Sequence, residues 1–196
     1  MRAIMISGSR RAVDRDALGK TQSVAEAVLQ GIVAAGGAAE RCFLPELSIE
    51  RCRQCEADGW GRCRSEGRCV IEDDLPRLSA QLGAADLAVF CTPVYYGDLS
   101  ESMRALLDRL RRVANHAPDH LGLKGKPVVG ITVAGGSGGG SVTAAVSLER
   151  ALLTTGFEIL DMIPVRIQNL PSKLEVLPAI GRWLAETIEA RNSPRV

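Results

Sequence analysis

The chain has 196 residues, 46% of them hydrophobic and 24% charged, with a formal net charge of +1, a balance that suits one ordinary globular domain over 1–196. So small a net charge gives no broad field for steering polyanions, which argues against a nucleic-acid partner. No run reaches the roughly 18 apolar residues of a membrane helix, and the opening segment is unlike a signal peptide, so no membrane association and a cytoplasmic location are expected.

In that compartment the six cysteines stay reduced, and a tight group of them points to metal or redox chemistry before disulfides.

Arg2 to Ile6 reads as a first strand, feeding Ser7, Gly8, Ser9, Arg10 and Arg11. A helix is expected to open near Gly19, Lys20, Thr21 and Ser23, with Val24, Val28, Leu29, Ile32 and Val33 as its apolar stripe. Glycine and hydroxyl residues ahead of a helix offer free amides and a positive dipole end to a phosphate, and Arg11 and Lys20 can add charge. The competing reading is an ordinary capped start, with Ser23 and Glu26 as a capping box. The Gly19-Lys20-Thr21 triplet also looks like the end of a Walker loop. Gly8, however, lies eleven positions before Gly19 instead of five, which excludes that compact cradle.

Ala39 to Leu44 is a weaker strand, interrupted by Glu40 and Arg41 as suits a sheet edge. Cys52, Cys55, Cys63 and Cys69 follow, a CxxC with later gaps of seven and five residues and with Gly59, Gly61 and Gly67 between them. Thiolates so grouped suit zinc or an iron-sulfur cluster; the longer gaps match no common zinc or ferredoxin spacing, so a metal-free loop stands beside these two. Trp60 is either the packing centre of this loop or part of a partner surface. Asp73 and Asp74 read as caps of a helix from Leu75 onward, a better reading than acid catalysis.

Leu87 to Thr92 is the next strand, and Pro93, Val94, Tyr95, Tyr96, Gly97 and Asp98 lead from it to a helix capped near Ser100, with Met103, Leu106, Leu107 and Leu110 as its stripe. The only two tyrosines of the chain sit in this loop. Proline and aromatic rings make a flat, rigid wall for a planar ligand, and packing under a turn is the alternative. His116 and His120 stand near Asp119, but Pro118 breaks any helix between them and leaves a solvated loop.

Pro127 to Ala134 is a buried strand entering Gly135, Gly136, Ser137, Gly138, Gly139, Gly140 and Ser141. By composition this is a flexible linker; between a strand and a helix, its glycines let amides approach a ligand closely. It does not fit GxGxxG, so a dinucleotide fingerprint is absent. Val142, Ala145, Val146, Leu152 and Leu153 are expected on the buried face of the following helix. Phe157 to Val165 is the last strand, and Ile180, Trp183, Leu184 and Ile188 stripe a final helix. Cys42 and Cys91 lie in strand-like runs as small core residues.

Nearly continuous apolar strands alternating with helices give βαβ units and a parallel sheet covered on both faces. Ligands of such sheets sit outside the carboxyl ends of the strands.

With GSRR at 8–11, GKT at 19–21, CVIEDDL at 69–75, TPVYYGDLSESMRALLDRL at 92–110 and AGGSGGG at 134–140, the chain resembles the flavodoxin-like NAD(P)H-dependent FMN reductases up to about Leu160. Among them it is similar to the iron-sulfur flavoproteins. The resemblance implies an α/β, flavodoxin-like fold: a doubly wound five-stranded parallel sheet in the order 2-1-3-4-5, helices on both faces, and a cysteine-rich excursion at about 50–72.

It also implies that Ser9, Arg11, Lys20, Thr21 and Gln22 bind the FMN phosphate. Pro93, Val94, Tyr95, Tyr96 and Gly97 would contact the isoalloxazine, with Ala134, Gly135 and Gly136 bordering it. Lys20 stands where the family usually has asparagine, Arg10 where it often has proline, and Asp58 where the third cluster cysteine is usual, so Cys63 takes that place beside Cys52, Cys55 and Cys69. The implied activity is reduction of FMN by NAD(P)H and passage of electrons to a small-molecule acceptor, with no catalytic side chain, because the flavin carries the chemistry. The alternative implied is an electron carrier or redox sensor that holds FMN and a 4Fe-4S cluster for a protein partner, with a zinc loop as a third form. A homodimer or homotetramer is expected by the same resemblance.

Overall fold

A computed structural model describes residues 1–10 and 19–192. Strands β1 (Arg2–Ser7), β2 (Ala38–Phe43), β3 (Leu87–Pro93), β4 (Pro127–Ala134) and β5 (Glu158–Arg166) form one parallel sheet in the order β2-β1-β3-β4-β5. Each lies within one residue, at either end, of the strand expected from sequence.

The four inner segments read so clearly because alternate residues enter two different cores. Ala3 and Met5 of β1 and Leu87, Val89 and Cys91 of β3 pack on one face; Ile4 and Ile6 of β1 and Ala88 and Phe90 of β3 pack on the other. Burial drives the Cys91 thiol pKa far up and raises that of Cys42 to about 11, as befits inert core thiols.

Helices α1 (Lys20–Ala34) and α6 (Leu170–Asn192) cover the first face. They touch backbone to backbone: a Cβ on Gly31 would lie 2.1 Å from the Pro178 carbonyl oxygen, and one on Gly181 would lie 2.1 Å from that of Val28. Of the expected α6 stripe, Leu184 and Ile188 are buried while Trp183 is half-exposed. Helices α3 (Leu75–Ala84), α4 (Glu101–Ala114) and α5 (Ser141–Thr155) cover the second face, and α2 (Arg62–Ser65) is a single turn inside the cysteine-rich excursion. No helix among the described residues is long and apolar enough to cross a membrane.

Two sequence expectations need correction. In α5 the buried face is Ala144, Ala145, Leu148 and Leu152, and Val142, Val146 and Leu153 are exposed. The helix start sets this rotation: Gly140 rests on Gly97, and the buried Ser141 carbonyl accepts from Thr132 Oγ1 at 2.8 Å. In α1 no capping box forms. Gly19 is the N-cap without a side-chain bond, and Glu26 instead accepts from Arg41 Nε and Nη2, each at 2.7 Å. This ion pair explains why a charged residue interrupts the edge strand β2.

Winding runs one way from β1 to β2 and the other way through β3, β4 and β5, so the switch point lies between β1 and β3. Their carboxyl ends are level, with Ser7 beside Cys91. This is where an open α/β sheet leaves a crevice.

Candidate cofactor-binding site

At the end of β1, the Gly8 amide donates to the Cys91 carbonyl at 2.9 Å. Its carbonyl accepts from Ser102 Oγ at 3.3 Å, and a Cβ at this position would lie 2.4 Å from Ser100 Oγ. Only glycine lets the loop lie this close to the start of α4, and the result is a buried Ser9 facing the opening of α1. That opening is built for an anion. Gly19 is extended and uncapped by a side chain, the first turn holds no acidic residue, and the amides of Lys20, Thr21 and Gln22 have no acceptor among the described residues. The positive end of the helix dipole is uncompensated there.

After β3 the chain makes a tight reversal. The Tyr95 amide donates to the Asp98 carbonyl at 2.9 Å and the Asp98 amide donates back at 3.0 Å. Tyr96 at φ 50 and Gly97 at φ 80 form the two central residues. Positive φ at both marks a primed hairpin turn. Its handedness throws Tyr96 fully into solvent and leaves Tyr95 half-exposed. The Asp98 carboxylate accepts twice from Arg104 Nη2, at 2.6 and 2.7 Å, tying the tip to α4. Burial pushes the Asp98 pKa up, but the Leu99 amide and Arg104 outweigh it and hold the group below the usual carboxylate range.

The glycine-rich loop is anchored to this tip. A Cβ on Gly140 would stand 2.5 Å from Gly97 Cα, and Thr143 Oγ1 donates to the Gly97 carbonyl at 2.9 Å. At Gly135 and Gly136 a Cβ would meet nothing within 4 Å, so these two glycines border open space.

The three loops enclose one cavity of about 300 Å³, lined by Ser9, Gly19, Lys20 and Thr21 on one side, Pro93, Val94 and Tyr95 on another, and Val133, Gly135 and Gly136 on the third. Its size and mixed lining suit a nucleotide-sized ligand. Four of the expected residues are not on its wall. Gln22 is buried with Nε2 donating to Glu26 Oε1 at 2.6 Å, Tyr96 points away, Gly97 backs onto Gly140, and Ala134 is buried in the sheet. Arg11 lies outside the described residues. Gly19, expected at the helix start but not among the phosphate-binding residues, is on the wall, and Val133, which the sequence reading did not name, lines it too.

The cysteine-rich excursion lies along α4, with Arg51 and Cys52 sharing a hollow with Glu101 and Ser102 of its first turn and the four cysteines gathered beside Arg109, Arg112 and Val113 of its far half. Cys52, Cys55, Cys63 and Cys69 all line one small cavity, together with Trp60, Arg109 and Val113. It is closed down to about 20 Å³, room for roughly one water. Trp60 is the packing centre: the Arg112 guanidinium lies 4.5 Å from its ring centre, Arg64 lies 5.5 Å away, and His116 meets it edge-on at 5.4 Å. Among the described residues, no group of three or more His, Cys, Asp or Glu stands close enough to hold a single metal ion.

Asp73 does more than cap α3. Its Oδ1 accepts from the Leu75 amide at 3.2 Å and Oδ2 from the Glu50 amide at 3.0 Å, and it forms a two-point ion pair with Arg109. Burial works against the Asp73 carboxylate, yet Arg109 and the two amides hold its pKa below the ordinary value.

The sequence model of the NADPH-dependent FMN reductase family matches residues 1–169. An iron-sulfur flavoprotein of Archaeoglobus fulgidus is 29% identical over 138 residues, which are 70% of this chain and 56% of that protein. One of Methanosarcina thermophila is 33% identical over 100 residues, 50% of this chain and 47% of that one. The chain thus spans about half the length of these curated relatives. Among solved structures, a flavone reductase superposes with a TM-score of 0.72 at 21% identity, over 100% of this chain and 65% of that one. A flavodoxin from an archaeon gives 0.60 at 14% identity, over 96% of this chain and 99% of that one. Doubly wound and flavodoxin-like, with its loops gathered at the switch point, the chain belongs to the NADPH-dependent FMN reductase family, a family of oxidoreductases.

Proposed function

We propose that the chain binds FMN in the crevice at the strand ends and acts as an NAD(P)H-dependent oxidoreductase on a small acceptor such as a quinone. The observation that carries this is the convergence of an uncapped helix start, a proline-tyrosine wall and two open glycines on one cavity. The residues fit the group. Ser9, Lys20, Thr21 and the first-turn amides of α1 hold its phosphate, while Pro93, Val94 and Tyr95 flank the ring and fix its plane. Gly135 and Gly136 bring backbone amides to the ring edge, where donors favour the electron-rich form. Bound FMN supplies the electron-accepting chemistry, and the side chains orient it and exclude water. Purified protein is expected to be yellow, or to take up FMN, and to oxidise NADPH or NADH with a quinone. A colourless protein that fails at both sinks the proposal.

A second reading, supported by four cysteines around one cavity, makes the chain an electron carrier or redox sensor for a protein partner, with an iron-sulfur cluster as a second centre. The curated relatives named above carry the name iron-sulfur flavoprotein. The cavity needs an outward shift of the loop to take a cluster, and positive φ at Gln54, Gly59 and Gly67 marks where that chain turns. A cluster supplies one-electron chemistry when bound. Iron, sulfide and zinc analysis after anaerobic purification separates cluster, zinc and metal-free forms. Under either reading we propose a cytoplasmic homodimer or homotetramer, and light scattering on the eluted protein measures the assembly.

A further inference from the structure

Helices α4 and α5 pack on each other over the second face of the sheet, and a cavity of about 350 Å³ opens between them. Arg104, Asp108 and Arg111 reach it from α4, and Ser147, Arg150 and Thr154 reach it from α5. The spacing is helical on both sides, i, i+4, i+7 on α4 and i, i+3, i+7 on α5, so each set forms one face of its helix and the two faces share one groove. Three arginines therefore meet there. Arg104 is held by the Asp98 carboxylate at 2.6 Å, and Arg111 has Asp108 at 3.8 Å, while the exposed Arg150 has no carboxylate partner among the described residues. With Asp98 included, three cations face two carboxylates. The neighbouring cavity sets Arg51 and Arg104 against Glu101 and Asp108, a balance that favours no anion.

One hairpin joins this groove to the cofactor crevice. Tyr95 lines the crevice, and Asp98, paired with Tyr95 across the turn, grips Arg104 at the near end of the groove. From Arg104 to Arg111 α4 rises about 10 Å. A long ligand that starts over the crevice and follows the groove brings its far end to Arg111 and Arg150. An extended dinucleotide has that shape.

We propose that the groove between α4 and α5 receives the 2′-phosphate of NADPH, and that Arg150, seconded by Arg111, selects NADPH over NADH. This rests on the reading of the crevice as an FMN site served by a nicotinamide dinucleotide. The two dinucleotides differ only in that phosphate, so a residue that tells them apart must meet it. Arginine suits the task, because its planar fork stays charged and binds phosphate oxygens at two points. Arg150 has no ion pair to break before it does so, and the Ser147 hydroxyl beside it is a further donor. Asp108 repels the phosphate, and Arg111 offsets that repulsion. No bond changes at this end of the dinucleotide; the hydride leaves from the other end.

The test uses the whole 1–196 chain loaded with FMN, with a quinone at fixed concentration, as wild type, Arg150→Ala, Arg111→Ala and Arg191→Ala. The readout is the ratio of kcat/KM for NADPH to that for NADH. Wild type is expected to favour NADPH at least tenfold. In Arg150→Ala the ratio is expected to fall roughly tenfold, the value of one charged hydrogen-bonding contact. Arg111→Ala is expected to lower it less, because Asp108 already shares that charge. Arg191→Ala removes an equal charge from α6, where Arg191 pairs with Glu158, and is expected to hold the ratio within twofold. The loss in Arg150→Ala should shrink as salt is added.

Calorimetry without turnover reads the same contact directly. Adenosine 2′,5′-bisphosphate is expected to bind the FMN-loaded protein at least tenfold more tightly than adenosine 5′-monophosphate, and Arg150→Ala is expected to remove most of that difference. A wild type that binds FMN but uses both dinucleotides equally, or an Arg150→Ala that leaves the ratio unchanged, overturns the inference and leaves the FMN reading standing. A chain that neither binds FMN nor oxidises either dinucleotide removes both.

Discussion

Gly140 and Gly97 meet so closely that a methyl group on Gly140 would stand 2.5 Å from the Gly97 α-carbon. This contact fastens the glycine-rich loop to the tyrosine hairpin and sets two sides of the crevice at a fixed separation. Gly140 also has φ +81, so Gly140→Ala adds left-handed strain to the clash. A loss of about 2–4 kcal/mol in unfolding free energy is expected, with weaker FMN binding in whatever fraction remains folded. Denaturant titration and flavin fluorescence measure the two effects separately.

Lys20 opens α1 where the first-turn amides are unpaired among the described residues and no acidic side chain offsets the dipole. Lys20→Gln is expected to weaken FMN roughly two- to fivefold, and Lys20→Glu more, with both losses shrinking as salt is added. Riboflavin, which lacks the phosphate, is expected to bind equally to all three proteins. The readout is fluorescence titration at two ionic strengths.

How much of this was legible in the sequence follows from how local each cause is. The inner strands were readable because burial on both faces makes them continuous apolar runs, and the three ligand loops were readable because they follow those strands. The direction of Tyr96 was not, since it depends on the handedness of a turn that only the pairing of Tyr95 with Asp98 creates. Nor was the buried face of α5, which a contact between Gly97 and Gly140 rotates, nor the Arg109 partnership, whose members lie 36 positions apart. No period within a helix or strand records a contact of that kind.

The two tyrosines can be told apart. Tyr95 lines the crevice, whereas Tyr96 stands in solvent at φ 50. Tyr95→Ala is expected to weaken FMN binding at least fivefold, about the value of one aromatic contact. Tyr96→Asn is expected to leave FMN binding within twofold and to raise stability by a few tenths of a kcal/mol, because asparagine tolerates the left-handed region better. Equal losses from both would show that the hairpin moves when ligand binds.

Asp73→Asn leaves the buried Arg109 charge without its counterion, and a loss of about 3–5 kcal/mol at neutral pH is expected. The pH dependence has a definite sign. The folded-state pKa of Asp73 lies below its ordinary value, so its stabilisation is fully present above the unfolded pKa of about 3.9 and is lost as pH falls through the folded value. The stability gap between wild type and Asp73→Asn should therefore be constant from neutral pH to about pH 5 and narrow below about pH 4. Urea unfolding of both proteins across that range checks it.

The central claim, that the loops at the strand ends form one FMN site, is met most directly by titrating flavin-free protein with FMN and counting sites by fluorescence and absorption. One FMN per chain is expected, with binding weakened by Lys20→Glu at the phosphate end and by Tyr95→Ala at the ring end. No saturable binding, or binding that neither substitution affects, would contradict the account.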